Sequence, residues 1–276
     1  MAIARLEILK KLRSSINKGI PIIGTGAGTG ISAKFEEAGG SDLIIVYNSG
    51  KYRMAGRSSC SGLLAFGDAN AIVLEMACEI LPVVKNTPVL AGVNATDPFK
   101  DMRQFLKTIK ETGYSGVQNF PTVGIIDGTF RKSLEETDLG YYKEVEMIGI
   151  AAELDLLTTP YVFNEQESVD MTKAGADVIV AHMGLTIGGT IGGISTVSWE
   201  DTFKTIQGIR DAAVSVDPNV IVMCHGGLIA EPEDAERVML NTTGIHGFYG
   251  ASSAERLPVE TAITNQVGKF KNIRMK

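Results

Sequence analysis

The sequence predicts an α/β protein with a (β/α)8 TIM-barrel fold and one extra helix at the N-terminus. Eight short apolar runs alternate with helix-like stretches from Ile20 to the C-terminal end. This alternation predicts a parallel sheet covered by helices, and a length of 276 residues is typical of one such barrel. A doubly wound open sheet is the alternative, although that fold usually has fewer strands or a longer chain.

The N-terminal segment, residues 1–19, predicts an amphipathic helix that lies over the end of the barrel where the strands begin. Its apolar residues recur at helical spacing and therefore share one face: Ile3, Leu6, Leu9, Leu12 and Ile16. No linker or low-complexity segment interrupts the chain that follows. We therefore expect a single domain over residues 1–276, with residues 1–19 as its capping helix.

Eight runs rich in apolar and β-branched residues predict the strands of the barrel. In chain order they are "PIIGTGAG", "DLIIVYNSG", "PVLAGVNATDP", "GVQNFPTVG", "LLTTPYVFN", "DVIVAHMG", "VIVMCHGG" and "GIHGFYGASS". Between them lie stretches with helical periodicity, several of which end in glycine as a left-handed helix cap does. The clearest are "DMRQFLKTIKETG", "WEDTFKTIQGIRDAAVSV" and "EPEDAERVMLNTTG".

The composition excludes several classes of partner. The net charge of −6 and the pI near 5.2 argue against nucleic acid or an anionic membrane. The spacing of the three cysteines is neither that of a disulfide-rich protein nor that of a metal site: Cys60, Cys78 and Cys224. No segment is long and apolar enough to span a bilayer. We expect a cytoplasmic homo-oligomer whose partner is a small anionic or phosphorylated metabolite.

Polar and glycine residues follow nearly every predicted strand, at the edge where barrels of this kind bind their ligands. The first strand runs into alternating glycines that match neither the G-x-G-x-x-G dinucleotide pattern nor a Walker A loop. We expect Gly24 and Gly26 to let a ligand approach the backbone closely, and relief of strain at a tight turn is the alternative. Asn94 and Asn119 follow the third and fourth strands and are further candidates for substrate binding.

The loops after the seventh and eighth strands predict an anion cradle. In phosphate-binding barrels these two loops and a short helix N-terminus donate backbone N–H groups to a phosphate. Two tight turns between strand and helix are the alternative. The candidate phosphate-binding residues are Gly226, Gly227, Gly250, Ser252 and Ser253.

All three histidines fall in predicted strands. His182 and His225 come near the ends of the sixth and seventh strands, so both are candidates for acid/base catalysis, with burial on backbone hydrogen bonds as the alternative. His246 comes early in the eighth strand and is expected to be structural. The spacing of the three is not that of a histidine metal site, so we assign no metal ligand.

The longest connection without clear periodicity follows the second strand, and long loops of this kind often act as lids. It carries Arg53 and Arg57, whose guanidinium groups suit a carboxylate or phosphate, although both could simply be solvated. Asp68 is a candidate acid/base residue, and capping of the helix that begins near Ala69 is the alternative. A second candidate for movement is the glycine-rich segment 184–195 after the sixth strand.

Five stretches together resemble the phosphoenolpyruvate hydrolase-like family, which is also described as TIM-barrel signal-transduction proteins. They are "GTGAGTGISAKFEEAGG", "YNSGKYRMAGRSSCSGLLAFGDAN", "VLAGVNATDPF", "HMGLTIGG" and "CHGGLIAEPEDA". The chain is also similar to the C-terminal barrel of a plant virus-resistance protein. The resemblance spans nearly the whole chain and implies the TIM-barrel fold.

By analogy, the resemblance extends to the phosphoenolpyruvate mutase and isocitrate lyase superfamily. In that superfamily a Tyr-x-Ser-Gly motif after the second strand binds the anionic end of the substrate through backbone N–H groups. Tyr47, Ser49 and Gly50 match this motif. The resemblance therefore implies that Ser49 and Gly50 bind substrate.

The chain departs from the superfamily at its magnesium site. The usual Asp-x-Asp pair after the third strand is replaced by Gly92 and Asn94, and Asp97 follows only later. The superfamily's lysine after the fourth strand is missing as well. Magnesium is the cofactor that the resemblance implies, but without the usual site we leave the cofactor open.

Two functions of different class are compatible with these residues. In the first, the chain is a hydrolase or lyase that acts on a phosphoenolpyruvate- or phosphonopyruvate-like anion. Water attacks phosphorus, or a P–C or C–C bond breaks to leave an enolate, while Asp68, His225 or His182 supplies acid/base catalysis. In the second, the chain is a non-catalytic sensor or scaffold that binds a phosphorylated metabolite. We favour the enzyme.

Overall fold

A computed structural model of the chain describes residues 2–194 and 197–276. Its strands form one parallel sheet with the order β5-β4-β3-β2-β1-β9-β8-β7-β6. The strands are β1 (Ile22–Gly26), β2 (Leu43–Val46), β3 (Val89–Gly92), β4 (Gly116–Gln118), β5 (Leu157–Thr158), β6 (Tyr161–Val162), β7 (Val178–His182), β8 (Ile221–His225) and β9 (Gly247–Gly250).

Helices follow most of the strands and cover the sheet. They are α1 (Arg5–Asn17), α2 (Gly30–Ala38), α3 (Asn48–Met54), α4 (Ala69–Ile80), α5 (Met102–Thr112), α6 (Gly128–Glu136), α7 (Tyr142–Glu153), α8 (Glu165–Lys173), α9 (Trp199–Val216), α10 (Pro232–Asn241) and α11 (Leu257–Lys271). Short 3₁₀ helices span Ser59–Leu63 and Val123–Ile125, and a π-helical turn, Ser252–Arg256, leads into α11. Within residues 2–194 and 197–276, no helix combines the length and apolar character that crossing a bilayer requires.

The sequence predicts eight strands, whereas the described residues form nine, because the predicted fifth strand is interrupted. Thr159 and Pro160 separate β5, which pairs with β4, from β6, which pairs with β7. Proline has no N–H to donate to a neighbouring strand, so the ladder breaks at this position. The Thr159 N–H still donates to Val117, and the Pro160 carbonyl still accepts from Val180. The two edges of the sheet are therefore formed by consecutive short strands.

Apolar side chains on both faces of the sheet are buried, which is typical of parallel strands covered by helices. One core cluster lies between the sheet and the helices. The other lies on the opposite face and includes Leu43, Leu90, Met223 and Tyr249. Burial on both faces explains why the strands appear in the sequence as continuous apolar runs rather than as alternating patterns.

Helix α1 contacts residues that lie just before several strands. Its Leu12 packs into the second core cluster. The Ile3 N–H donates to Ser115 Oγ directly before β4, and Arg5 forms an ion pair with Asp177 directly before β7. Because the strands are parallel, these contacts place α1 at the amino edge of the sheet. The opposite, carboxyl edge is left for the residues that follow the strands.

Candidate active site

A narrow cavity lies at the carboxyl edge of the sheet, close to the ends of β2, β7 and β8. Its volume is about 40 Å³, which is room for a few water molecules but not for a three-carbon acid that carries a phosphoryl group. A wider cavity of about 450 Å³ lies beside it near the ends of β2, β3 and β4, and Leu63 borders both. The polar residues of the narrow cavity are Ser49, Arg53, Ser59, His182, Thr186, His225 and Ser252.

Arg53 is the only lysine or arginine that lines the narrow cavity among the described residues. Its side chain is 1% exposed, and its Nε and Nη2 donate to Oε2 of Glu255 at 2.9 and 2.7 Å. Nη2 also donates to the carbonyl of Gly26, while the Gly28 N–H donates to Oε1 of Glu255. Burial is the largest effect and disfavours the guanidinium charge, but Glu255 and Tyr47 together outweigh it and raise the pKa of Arg53. The cavity wall therefore holds a guanidinium that stays protonated and is paired with a buried carboxylate.

His182 and His225 end neighbouring strands and are paired across the sheet. Their ring centres are 4.5 Å apart, and both side chains are buried. Nδ1 of His182 accepts from the Gly184 N–H at 3.0 Å, so the proton of the neutral ring lies on Nε2. Nδ1 of His225 is hydrogen-bonded to the Tyr249 carbonyl, which can only accept, so this Nδ1 carries the proton. Its Nε2 is therefore an acceptor, and no described residue donates to it. The pair offers one donor nitrogen and one acceptor nitrogen.

Both histidines are neutral at pH 7. Burial lowers the pKa of His225 to about 4. Burial, and to a smaller extent the nearby His225, lowers the pKa of His182 well below its ordinary value. The imidazolium form is therefore disfavoured at both positions, and a positive charge in the cavity comes from Arg53 alone among the described lining residues.

An aromatic cluster forms the floor of the cavity. The Tyr161 ring packs edge to face on His182, with centroids 4.6 Å apart, and stacks on His225 at 5.0 Å. Phe120 packs against Tyr47 at 4.7 Å. These buried rings hold both imidazoles in place and surround them with apolar surface, which is the cause of their lowered pKa values.

The loop after α3 covers one side of the cavity. Its 3₁₀ helix places Ser59 and Leu63 in the cavity wall. The Ser49 hydroxyl donates to the Ser59 carbonyl at 2.7 Å, so the loop is fastened to α3. The sequence predicts a connection without clear periodicity from Tyr47 to the helix that begins near Ala69, whereas the first part of this connection is helix α3. Arg53 therefore lies on a helix rather than on a mobile lid.

The glycine-rich segment after β7 covers the other side. Residues 184–194 of this segment are described, and position 195 lies outside the described residues. Leu185 and Thr186 line the cavity. Farther along, the Gly188 carbonyl accepts from Arg256, and Thr190 donates twice to Glu260 on α11. The segment is thus attached to the first turn of α11.

The alternating glycines of β1 and its loop are required by close packing against protein atoms. A Cβ on Gly24 would lie 2.5 Å from the Tyr249 ring, and one on Gly26 would lie 2.6 Å from the Ala251 Cβ. A Cβ on Gly28 would lie 2.1 Å from the Gly50 carbonyl. The atoms that approach these glycines closely belong to the protein itself and not to a ligand. Gly24 and Gly26 are therefore not part of the proposed site.

The backbone N–H groups of the Tyr-x-Ser-Gly motif are already paired. The Ser49 N–H donates to the Asn48 side chain at 2.8 Å, and the Gly50 N–H donates to the Tyr47 carbonyl at 2.9 Å. Of the two implied substrate-binding residues, Ser49 lines the narrow cavity and Gly50 packs against Gly28. An anion that binds here would meet the Ser49 side chain more readily than these N–H groups.

The predicted phosphate cradle is only partly assembled around the cavity. Gly226 and Gly227 both have positive φ and pack against the start of the 184–194 segment, where the Gly227 N–H donates to the Gly184 carbonyl. A Cβ on Gly250 would meet the Phe248 ring. Ser252 lines the cavity at the start of the π-helical turn, and the neighbouring Ser253 has a buried hydroxyl without a partner among the described residues. Ser252 is the cradle residue best placed to meet an anion.

The two candidate asparagines, Asn94 and Asn119, form hydrogen bonds with the loops that surround the cavities. The Asn119 amide donates to Glu144 and to the Tyr161 carbonyl, and its oxygen accepts from the Tyr161 N–H, so its side chain is fully occupied. Asn94 lines the wider cavity, and its backbone is hydrogen-bonded in both directions to the side chain of Asn70. Asn119 is structural in this arrangement, and Asn94 is separated from Arg53 and the histidines.

Asp68 and Arg57 both lie away from the narrow cavity. Asp68 is the N-cap of α4: its Oδ1 accepts from the Ala71 N–H at 2.9 Å, and its side chain is half exposed beside Lys100. This is the capping geometry that the sequence offers as the alternative to catalysis. Arg57 is exposed. His246 is half-buried just before β9, where its Nδ1 accepts from the Val222 N–H.

We expect Asp68→Ala to lower the free energy of unfolding by about 1 kcal/mol, because the α4 cap is lost. Asp68→Asn retains a cap and should change stability by only a few tenths of a kcal/mol. Urea unfolding of both variants measures these changes. Turnover should survive both substitutions, and a loss of roughly 100-fold or more in a stable Asp68→Asn protein would restore Asp68 as an acid/base residue.

The described residues do not fit the magnesium site that the resemblance implies. They contain no group of three or more His, Cys, Asp or Glu side chains that could hold a metal ion. At the first carboxylate position, a Cβ on Gly92 would lie 2.3 Å from the Tyr47 Cβ and 3.0 Å from the Phe120 carbonyl. Tyr47 therefore fills the space that a carboxylate side chain would need.

We expect Gly92→Ala to lower the free energy of unfolding by about 3 kcal/mol, because the new Cβ overlaps the Tyr47 Cβ and the backbone must shift. Denaturant unfolding monitored by circular dichroism measures this change. Asn94→Asp is the matched control, since its side chain is only half-buried and should tolerate the substitution. An unchanged midpoint for Gly92→Ala would contradict the packing argument.

Sequence reasoning misses the partner of Arg53. Glu255 is separated from it by 202 positions, and the segment around it resembles any acidic helix start. It also misses Tyr161 and Thr186, which lie in a predicted strand and a predicted flexible segment. The one available signal was charge: a buried arginine needs a carboxylate, but the sequence does not say which of 32 acidic residues supplies it.

The fold and the site together define the class: a parallel α/β sheet covered by helices, with a buried arginine and two neutral histidines at its carboxyl edge. The chain belongs to the phosphoenolpyruvate hydrolase-like family, whose sequence profile matches residues 7–273. It is 62% identical over 271 residues to the ToMV resistance protein Tm-1(GCR237) of Solanum lycopersicum. That match covers 98% of this chain and 36% of the tomato protein, so the chain spans about a third of the length of this relative.

Solved structures with the same fold have much lower sequence identity. The phosphoenolpyruvate phosphomutase of Streptomyces platensis subsp. rosaceus superposes with a TM-score of 0.61 at 15% identity, covering 96% of this chain and 88% of that one. A 2,3-dimethylmalate lyase, described as a PEP mutase/isocitrate lyase superfamily member, gives 0.58 at 13% identity, covering 98% and 88%. At this identity the likeness establishes the fold alone.

Proposed function

We propose that this protein is a hydrolase or lyase that acts on a small phosphoenolpyruvate- or phosphonopyruvate-like anion at the narrow cavity. The observation that carries the proposal is the buried Arg53 beside two neutral histidines of opposite tautomer. A fixed guanidinium binds a carboxylate or phosphoryl group, and the histidines supply an acceptor and a donor for protons. The name of the family and the name of one structural neighbour, the phosphoenolpyruvate phosphomutase, support this substrate class.

The substrate's anionic end would lie against Arg53, with the Ser252 hydroxyl as a further donor. The Ser49 hydroxyl donates to the Ser59 carbonyl, so it would become a donor to the substrate only when the loop after α3 moves away. Because Glu255 already holds two guanidinium nitrogens, Arg53 is fixed in place before the substrate arrives. A pre-positioned donor loses little conformational freedom on binding. The loops on both sides of the cavity must move apart to admit a ligand of this size.

In the proposed hydrolysis, Nε2 of His225 accepts a proton from water as the water oxygen bonds to phosphorus. The P–C bond of a phosphonopyruvate-like substrate then breaks, and its electron pair forms the enolate of the remaining acid. The protonated His225 then passes its Nε2 proton to the enolate carbon and returns to its neutral form, while the Nε2–H of His182 donates a hydrogen bond to the enolate oxygen. Proton transfer by a placed imidazole contributes roughly 100- to 10,000-fold to a rate.

We also propose that the sheet closes into a (β/α)8 barrel. We take β5 and β6 as two halves of one strand, so that the nine strands correspond to the eight of a closed (β/α)8 barrel. The hydrogen bonds of Thr159 and Pro160 to β4 and β7 support this closure. On this view residues 1–276 are one domain, residues 1–19 cap its amino edge, and the protein works in the cytoplasm.

Calorimetry and turnover assays with a panel of anions test the proposal. We expect phosphonopyruvate or phosphoenolpyruvate to bind, to release phosphate and to yield pyruvate, measured with and without magnesium. Neutral esters of the same acids are the matched control, since they lack the charge that Arg53 binds. A protein that binds none of the anions would contradict the site assignment.

A non-catalytic sensor is the second candidate, and the pairing of Arg53 with Glu255 favours it. A guanidinium that is already neutralised by a carboxylate can bind an anion and report it through the loops without any reaction. The same assays separate the two functions. Binding without turnover of any substrate in the panel, with or without magnesium, would favour the sensor over the enzyme.

A further inference from the structure

The wider cavity beside the candidate active site has no part in the reaction proposed above. Its volume of about 450 Å³ lies within the range of protein cavities that bind small molecules. The narrow cavity, at about 40 Å³, is too small in this structure for the substrate that the proposed function assigns to it. The wider cavity therefore offers the space that the narrow cavity lacks.

The wall between the two cavities is thin. The half-buried Leu63 borders both of them. Consecutive residues of the same segments face different cavities: Ser49 borders the narrow one, whereas Asn48 borders the wider one. Phe120 and Pro121 are divided between the two cavities in the same way. Rotation of the Leu63 side chain would therefore open a passage from one cavity into the other.

The charged side chains of the wider cavity are already paired with one another or with neighbouring groups. Among the described lining residues the one lysine or arginine is Lys100, whose Nζ lies 3.7 Å from Oδ2 of Asp68. The remaining carboxylate, Asp97, accepts hydrogen bonds from the Asn70 side chain and from the Phe99 N–H. A second anionic group would find no unpaired cation in this part of the structure. The cavity therefore favours an uncharged group.

Large apolar side chains surround the wider cavity and are exposed to solvent. Leu64, Phe99 and Phe130 all border it, and they are 58%, 92% and 63% exposed. Exposed apolar side chains that gather around one cavity are typical of a binding site, whereas single ones scattered over a surface are not. The rings of Phe99 and Phe130 can pack against another aromatic ring, and Ile126 adds an aliphatic surface. The lining therefore suits an aromatic group.

We infer that the wider cavity binds an uncharged aromatic group of the same substrate whose anionic end lies against Arg53. The substrate is then an amphipathic acid, with a phosphonopyruvate-like head in the narrow cavity and an aryl substituent beyond Leu63. This inference rests on the proposed function, since the anionic end and the reaction stay as assigned there. It explains why a carboxylate-binding cavity of about 40 Å³ lies beside an apolar one of about 450 Å³.

Calorimetry on the full chain with unreactive analogues tests the inference. Phosphonoacetate, which lacks the 2-oxo group, represents the head alone, and its derivatives carry a phenyl group on carbon 2 directly or through a short methylene linker. We expect at least one phenyl derivative to bind at least about tenfold more tightly than phosphonoacetate, because burial of a phenyl group contributes this much. A protein that binds phosphonopyruvate but gains nothing from the phenyl group overturns the inference and leaves the proposed function intact. A protein that binds none of these anions overturns both.

A pair of double variants locates the bound phenyl group. Phe99→Ser with Phe130→Ser should remove most of the tenfold gain and leave the affinity for phosphonoacetate unchanged, and the fold should survive because both rings are exposed. Phe35→Ser with Phe270→Ser is the matched control, since these rings are 63% and 64% exposed and border neither cavity. The control should retain the full gain. A gain that persists in the first double variant would place the phenyl group elsewhere and overturn the inference.

Discussion

Replacing Arg53 by methionine is expected to lower the free energy of unfolding by about 3–5 kcal/mol. The substitution leaves the Glu255 carboxylate buried, with the Gly28 N–H as its remaining described partner. Removal of one member of a buried ion pair has effects of this size because the other charge stays desolvated. Urea unfolding at pH 7, with the slope compared between variants, measures the change.

The double variant Arg53→Met with Glu255→Leu separates stability from binding. Removing both charges should restore most of the lost stability, since a buried pair is often replaceable by apolar side chains. Affinity for phosphonopyruvate should nevertheless remain lost, because the guanidinium that binds the anion is absent. A double variant that folds and still binds the anion with wild-type affinity would remove Arg53 from the site.

His225→Asn is expected to lower kcat by roughly 100- to 10,000-fold while ligand affinity changes little. The asparagine amide can still donate to the Tyr249 carbonyl in place of Nδ1, but it offers no basic nitrogen in place of Nε2. His246→Asn is the matched control, since His246 lies outside the cavity and its loss should leave kcat unchanged. Normal turnover in a folded His225→Asn protein would contradict the proposed base.

The pH dependence of kcat provides an independent check on the same residue. The base must be unprotonated, and burial lowers the pKa of His225 to about 4. Activity should therefore stay level as the pH falls from 8 to about 5, and decline as it passes through about 4. The depressed histidine pKa also lowers folding stability below about pH 6.5, because the unfolded chain binds protons that the folded chain does not. Circular dichroism at each pH separates loss of fold from loss of activity.

Local sequence signals predict the helices well. The predicted helix after the third strand is α5, with Asp101 as its N-cap and Gly113 in the left-handed region at its end. The predicted long helix coincides with α9, which begins after the capping Ser198. Caps and helical periodicity are properties of neighbouring residues, so they can be read without knowledge of the fold.

The interrupted fifth strand and helix α3 are harder to predict, because they depend on contacts across the sheet. The run from Leu156 to Asn164 is apolar enough for one strand, and only Pro160 indicates a break. Helix α3 has a glycine, Gly50, in its first turn, which argues against a helix on propensity alone. It forms because that glycine lets the helix approach the backbone at Gly28.

The candidate site also has one part that the sequence predicts and one part that it does not. The strand pattern alone places His182 and His225 at strand ends, and the structure brings them together because parallel strands end at one edge. Which N–H groups are free cannot be read from the sequence: Gly227 is a candidate anion binder by motif, but its N–H is used by the Gly184 carbonyl. Hydrogen bonds between distant loops decide that question.

The contact between Gly92 and Tyr47 also constrains how this protein could acquire a carboxylate at the end of the third strand. A side chain cannot enter position 92 while any residue with a Cβ occupies position 47 in its present place. Removing the tyrosine first opens a gap beside Phe120 and Tyr161 in the aromatic floor. Each order of substitution thus passes through a destabilised single variant. The two positions are therefore energetically coupled, and exchanging one combination for the other requires both changes together.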